Sequence, residues 1–152
     1  MRIVLISPHG EIHRKSGIFR RALRYMPLTL PTLAALVPEE LGADIRIIDE
    51  GVEDLDTAII GADVAGITCI TGTSYRAYQI SAELRARGIT TVLGGPHPTL
   101  IPEEARQHAD AIVTGFAEQT WPQLLRDFLK GQLKPRYDQS PDFVKIKLCP
   151  CL

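Results

Sequence analysis

The chain has 152 residues, 45% of them hydrophobic and 23% charged, and a net charge of −1. One domain of ordinary size accounts for that length, and fractions this close to those of folded soluble proteins exclude a disordered segment or a long coiled coil. Near-neutral charge lacks the basic footprint of a dedicated nucleic-acid binder, and no apolar run approaches the roughly 18 residues that a membrane-crossing helix needs.

Short β-branched runs recur along the chain, and they predict strands over residues 3–6, 45–48, 64–68, 89–93 and 111–113. None alternates with polar residues, as expected of parallel strands covered on both faces. Helical spacing fills the intervals. Leu30, Leu33, Ala34, Val37 and Leu41 form one stripe, which Pro38 should kink or end early. Residues 54–61 carry the weakest helical pattern. Ala77, Ile80 and Leu84 share a face over residues 74–87, with Gly88 beyond the end. Pro102-Glu103-Glu104 opens a short helix with its acids at the positive end of the dipole. Trp121, Leu124, Leu125, Phe128 and Leu129 give the cleanest stripe, with Thr120 as its cap and Gly131 as its end.

Strands alternating with helices predict an α/β flavodoxin-like three-layer sandwich with a five-stranded parallel sheet, order 2-1-3-4-5. Residues 1–131 form that domain, and residues 132–152, interrupted by Pro135, Pro141 and Pro150, read as a linker or tail. The apolar run before Ser7-Pro8-His9 is too short for the core of a secretion signal. The three cysteines, Cys69, Cys149 and Cys151, form no disulfide framework, so a reducing cytoplasm is the expected compartment.

Ligands of open α/β sheets bind beyond the carboxyl ends of the strands, so the loops there are the candidate site. After the third strand, Thr71, Gly72, Thr73 and Ser74 offer three hydroxyls around a glycine, more than a helix cap requires. Cys69 beside them reads as a small buried hydrophobe. After the fourth, Gly94-Gly95-Pro96-His97-Pro98-Thr99 forms a stiff loop. It is either a slot lined by backbone, which a bulky residue at 95 should block, or a tight glycine turn. After the fifth, Gly115 allows close approach and Phe116 follows it. Glu118 is either a ligand contact or a charge at a helix start. The first connection carries His9, His13, Arg14, Lys15, Arg20, Arg21 and Arg24, a solvated run or a contact for phosphate or an acidic partner. His9 and His13 lack a third ligand, so no metal site is assigned. No Gly-x-Gly-x-x-Gly, phosphate loop or catalytic triad is present.

These loops together resemble the N-terminal cobalamin-binding domain of cobalamin-dependent radical S-adenosylmethionine proteins, the Fe-S oxidoreductase-like group. The resemblance rests on Gly66-Ile67-Thr68-Cys69-Ile70-Thr71-Gly72-Thr73, Arg76-Ala77-Tyr78 and Val92-Leu93-Gly94-Gly95-Pro96-His97-Pro98-Thr99. Pro102-Glu103-Glu104, Ala109-Asp110-Ala111-Ile112-Val113 and Gly115-Phe116-Ala117-Glu118 complete it, over about residues 1–137. It implies a Rossmann-like domain with the corrin beside residues 71–73 and the nucleotide tail past Gly94, Gly95 and Gly115. The Asp-x-His-x-x-Gly motif of other cobalamin domains is absent, which implies base-off cobalamin without a protein histidine ligand. The family continues into a barrel with Cys-x-x-x-Cys-x-x-Cys, whereas this sequence ends Cys149-Pro150-Cys151-Leu152. No iron–sulfur cluster, and no radical chemistry, is therefore expected of this chain alone. Where the family shows Gly-Glu-x-Glu, Phe116 replaces one acid. The implied role is a cobalamin-binding module of a methyltransferase or rearranging enzyme, with the barrel domain or a second copy as partner. The alternatives are a cofactor-free flavodoxin-like regulatory or interaction domain, and a small hydrolase using His97.

Overall fold

The structure, a computed structural model, describes residues 1–10 and 28–140. The basic run from His13 to Arg24, with Cys149 and Cys151, lies outside the described residues. Strands β1 (Arg2–Ser7), β2 (Asp44–Asp49), β3 (Val64–Thr68), β4 (Thr90–Gly94), β5 (Ala111–Thr114) and β6 (Arg136–Asp138) form one sheet in the order 2-1-3-4-5-6. Every neighbouring pair is parallel, with Leu5 opposite Ile47 and Gly66, and Leu93 opposite Ile67 and Ile112.

Side chains of a strand point alternately to its two faces, and both faces of the inner strands are covered; β2, expected to be covered on both faces, lies at the edge with only Ile48 buried and Ile47 exposed. Val4, Ile6, Ile67, Leu93 and Ile112 pack with Ala77, Ile80 and Leu84 of α2 (Ser74–Ala86). Ile3, Leu5, Val64, Val92 and Val113 pack on the opposite side with Leu30 of α1 (Thr29–Ala35) and with Trp121, Leu124 and Leu125 of α5 (Thr120–Leu129). Two short helices, α3 (Pro96–Leu100) and α4 (Pro102–Ala105), join β4 to β5. Three layers result, in the flavodoxin-like class.

Several local expectations change. The stripe ahead of Pro38 ends early as a helix, at Ala35, as expected, but a 3-10 turn over Glu39–Leu41 then follows the proline. Residues 54–61 contain only the 3-10 turn Thr57–Ile59, started by Asp56 accepting from the Ala58 amide. Thr120 is the first residue of α5 rather than its cap, and its buried hydroxyl has no hydrogen-bond partner among the described residues. Leu129, at the far end of the stripe, is exposed. The stiff loop after β4 is itself helical from Pro96, because proline suits the first turn of a helix, where its missing N–H costs nothing.

The sheet has six strands, not five, and β6 lies within the stretch expected as a linker. A polar triplet, Arg136-Tyr137-Asp138, carries no apolar signal, and only Tyr137 at its centre is buried. The Tyr137 hydroxyl donates to the buried Asp127 of α5 at 3.1 Å and accepts from the Lys134 amide at 3.0 Å. Thr114 of β5 donates to Asp138 at 2.6 Å. Tyr137→Phe removes a donor from a buried carboxylate and should cost about 2 kcal/mol, measured by urea unfolding.

Candidate functional site

A groove of about 920 Å³ lies at the carboxyl ends of β3, β4 and β5. Gly66, Val92, Val113 and Trp121 line its inner part, and Thr29, Thr32, Leu33 and Leu36 of α1 and its end form one wall. The facing edge is backbone and small side chains at Gly94, Gly95, Pro96 and Thr99, continued by Gly115, Phe116 and Glu118. Its size is that of a small-molecule pocket. Glu118 is the one charged residue among its described lining residues.

The loop edge is fixed by main-chain contacts. The Cys69 amide donates to the Gly94 carbonyl at 2.8 Å, and the His97 amide to the Cys69 carbonyl at 3.0 Å. Gly95 sits between them at φ +108°, and a Cβ there would lie 3.0 Å from the Cys69 carbonyl oxygen. The position is therefore closed to side chains by conformation and by contact. Thr99 bridges to the next loop, donating to the Gly95 carbonyl at 2.8 Å and accepting from the Gly115 amide at 2.9 Å. Gln139, just past β6, accepts from the Phe116 amide at 2.9 Å. On the far wall, Trp121 donates its indole N–H to the Leu33 carbonyl at 3.1 Å, tying α5 to α1. Gly66 makes room for that ring: a Cβ there would lie 2.9 Å from Leu5 and 3.2 Å from Trp121.

Of the twelve residues expected in the site, seven line the groove: Gly94, Gly95, Pro96, Thr99, Gly115, Phe116 and Glu118. The hydroxyl cluster after β3 lies beside it. Thr73 closes a loop on both the amide and the carbonyl of Ile70, and Ser74 donates to the Thr71 carbonyl at 3.0 Å, so two of three hydroxyls serve the local backbone. His97 is buried and is not among the residues lining the groove; it lies within hydrogen-bond distance of Thr71 at 3.3 Å and Tyr78 at 2.9 Å. A bulky residue at 95 would break the loop junction itself, so Gly94 is the position that tests the slot. A Cβ at Gly94 meets only Val113, at an ordinary 3.8 Å.

The sequence reading missed the wall from α1, Trp121 and Gln139. An amphipathic stripe reads as core, and nothing in it marks the turn that faces a cavity. Gly66 and Thr68 belong to the third-strand block, where a glycine inside an apolar strand was the available signal.

Beyond the groove, the carboxyl ends of β1 and β2 hold a buried acid. Glu50, whose side chain is 4% exposed, accepts from Arg76 of α2 at 2.6 Å and from the His9 amide at 3.1 Å, with His9 Nδ1 at 3.0 Å. Burial pushes its carboxyl up, but the Arg76 and His9 hydrogen bonds outweigh that and hold it below the ordinary carboxylate value. Cys69 lies fully buried, and burial pushes its thiol up to about 12, so it is protonated and no nucleophile at neutral pH. No cluster of three or more His, Cys, Asp or Glu side chains suited to a metal ion occurs among the described residues. No helix there is long and apolar enough to cross a membrane.

A family model described as the B12 binding domain matches residues 17–125. The chain belongs to the B12-binding domain family. The cofactor of this family is cobalamin, in agreement with the sequence resemblance. Among curated relatives, the bacteriochlorophyllide d C-8(2)-methyltransferase of Chlorobaculum tepidum is 42% identical over 120 residues, covering 79% of this chain and 26% of the relative. The bacteriochlorophyllide d C-12(1)-methyltransferase of the same organism is 33% identical over 116 residues, 76% of this chain and 25% of that protein. An uncharacterised methyltransferase of Pyrococcus horikoshii is 33% identical over 144 residues, 87% and 30% respectively. The chain thus spans about a quarter of the length of the two bacteriochlorophyllide methyltransferases it matches.

Arg76→Met would strand the Glu50 carboxylate in a buried site and should cost about 3 kcal/mol at pH 7. A carboxyl with a depressed folded value contributes stability above its unfolded value of about 4.3 and loses it as pH falls through the folded one. The gap between variant and parent in urea unfolding should therefore narrow below about pH 4.

Proposed function

We propose that this chain is the cobalamin-holding module of a methyltransferase of the radical S-adenosylmethionine type, and that the groove beyond β3–β5 receives the nucleotide tail. The observation that carries the reading is the groove itself, edged by Gly94, Gly95 and Gly115 and walled by apolar side chains. A flat aromatic base fits between such a backbone edge and the Trp121–Leu33 side. The hydroxyls of Thr29, Thr32 and Thr99 suit ribose and amide groups. Gly94 leaves space that a larger side chain would take.

The corrin would lie over the strand ends next to residues 71–73 and the turn at Pro96. Base-off binding without a protein histidine is favoured by where the described histidines sit. His9 is paired with Glu50, His97 is buried against Tyr78, His108 stacks on Tyr78 at 3.9 Å, and none lines the groove. When bound, cobalamin supplies a cobalt centre able to carry a methyl group, and the residues here bind it, orient it and shield its tail from water. The methyltransferase relatives support methyl transfer as the parent reaction. A barrel domain or second copy would then meet the exposed face of the corrin. A buried free thiol at Cys69 is consistent with a reducing cytoplasm.

Protein mixed with hydroxocobalamin should retain a corrin absorption band through gel filtration. Gly94→Leu should weaken retention at least about tenfold while leaving the melting temperature near that of the parent. A folded parent chain that emerges colourless would overturn the reading in favour of a cofactor-free interaction domain.

A further inference from the structure

A line of side chains behind the groove runs from the surface to the loop after β3. Glu104 of α4 is half exposed, the Tyr78 hydroxyl of α2 lies 3.1 Å from its Oε1, His97 Nε2 of α3 lies 2.9 Å from that hydroxyl, and Nδ1 lies 3.3 Å from Thr71 Oγ1. With the imidazole in its neutral form, each link has one allowed direction. A carboxylate can only accept, so Tyr78 donates to Glu104. The phenol keeps that proton, because burial and the neighbouring Glu104 push its pKa upward. Having spent its single hydrogen, the Tyr78 oxygen must accept from His97, which places the imidazole hydrogen on Nε2. The approach of Nε2 to Glu104, 3.6 Å, favours the same placement. Nδ1 is then a lone pair and can only accept, so the Thr71 hydroxyl donates inward to it.

We infer that His97 is a positioning residue: with Tyr78 and Glu104 it points the Thr71 hydroxyl hydrogen inward, so that Thr71 presents only oxygen lone pairs to a ligand and selects N–H donors. Thr71 is exposed three residues beyond Thr68, which lines the groove, and His97 directly follows Pro96, which does so as well. The outward lone pairs therefore lie at the rim of the groove. Primary carboxamide N–H groups, which ring the corrin, are the donors that this oxygen would accept. This part rests on the cobalamin reading above; the direction of the hydrogen bonds does not. Tyr78 is held in place by His108 stacked on it at an interplanar angle of 13°, and the His97 amide is anchored on the Cys69 carbonyl. The chain of donors therefore has little freedom to reverse.

Two measurements test it on the full chain. Long-range ¹H–¹⁵N correlation of the His97 ring should show the ring hydrogen on Nε2 and a bare Nδ1; protonation on Nδ1 overturns the inference. In absorbance titrations with hydroxocobalamin, Thr71→Val should bind about tenfold more weakly and Thr71→Ser within about threefold of the parent. His97→Gln should match Thr71→Val, and the double variant should lose about tenfold rather than a hundredfold, because both changes remove one interaction. Additive losses, or no loss in Thr71→Val, would sink the proposal while the cobalamin reading stands. A parent chain that binds no hydroxocobalamin would remove the cobalamin reading and the ligand assigned to Thr71, and the ring spectrum would still report the polarity. Should His97→Gln fail to fold, the threonine pair and the spectrum decide.

Discussion

The main-chain junction between the loops after β3 and β4 is the constraint on which the site depends. Two hydrogen bonds join Cys69 to Gly94 and His97, and the space between the strands of backbone is too narrow for a Cβ at Gly95. Beyond that junction Pro96 opens a helix, a position its fixed φ and missing N–H suit. That helix buries His97 on one side and brings Thr99 to the Gly115 amide on the other. One glycine thus determines both the edge of the groove and the placement of the polar chain behind it. The close approach is between two segments of the protein, and the ligand slot is its consequence.

Buried charge does a second job at the margins of the fold. Glu50 fastens the segment after β1 to α2 through His9 and Arg76, and Asp127 fastens β6 to α5 through Tyr137. Neither acid is a strong source of net stability, since desolvation offsets much of what pairing provides. Their value is geometric: each carboxylate accepts from two or more partners at once, so misplacing any one of them leaves a buried charge short of donors. Edge elements with little apolar surface, such as a three-residue strand, are held in register by such contacts rather than by burial.

That division explains how much could be read from residues alone. The four central strands and their order are legible because both faces are apolar, and runs such as Ile3 to Ile6 or Ala111 to Val113 have no other soluble use. β6 is illegible because its register comes from one tyrosine and one aspartate hydrogen-bonding across space. α3 hides behind two prolines, which signal rigidity without saying whether the rigid form is loop or helix. In the site, the glycines are legible and their purpose is not: Gly95 is filled by Cys69, Gly66 by Leu5 and Trp121, Gly115 by Gln139, and of the glycines lining the groove Gly94 alone would seat a Cβ at an ordinary distance, 3.8 Å from Val113. The hydroxyls after β3 look alike in sequence, yet two of them are spent on turns and one on His97. Only the three-dimensional contacts of Thr71, Thr73 and Ser74 separate them.

Selection in such a site divides between shape and polarity. The groove is apolar and nearly uncharged, so it discriminates by thickness and length, and a missing methylene there is worth only a modest factor. Its rim is different. A buried imidazole with both nitrogens engaged fixes which way a neighbouring hydroxyl can point, and a fixed acceptor rejects another acceptor more sharply than an apolar wall rejects a poor fit, because the mismatch leaves lone pairs facing each other. The described side chains also offer nothing reactive at this edge: the Cys69 thiol is buried and protonated, and His97 is committed to Tyr78 and Thr71. A domain built this way holds and orients. Its rigidity is useful because whatever approaches the exposed side of the bound group meets it in one orientation, set by Gly95 on the inside and by Thr71 at the rim.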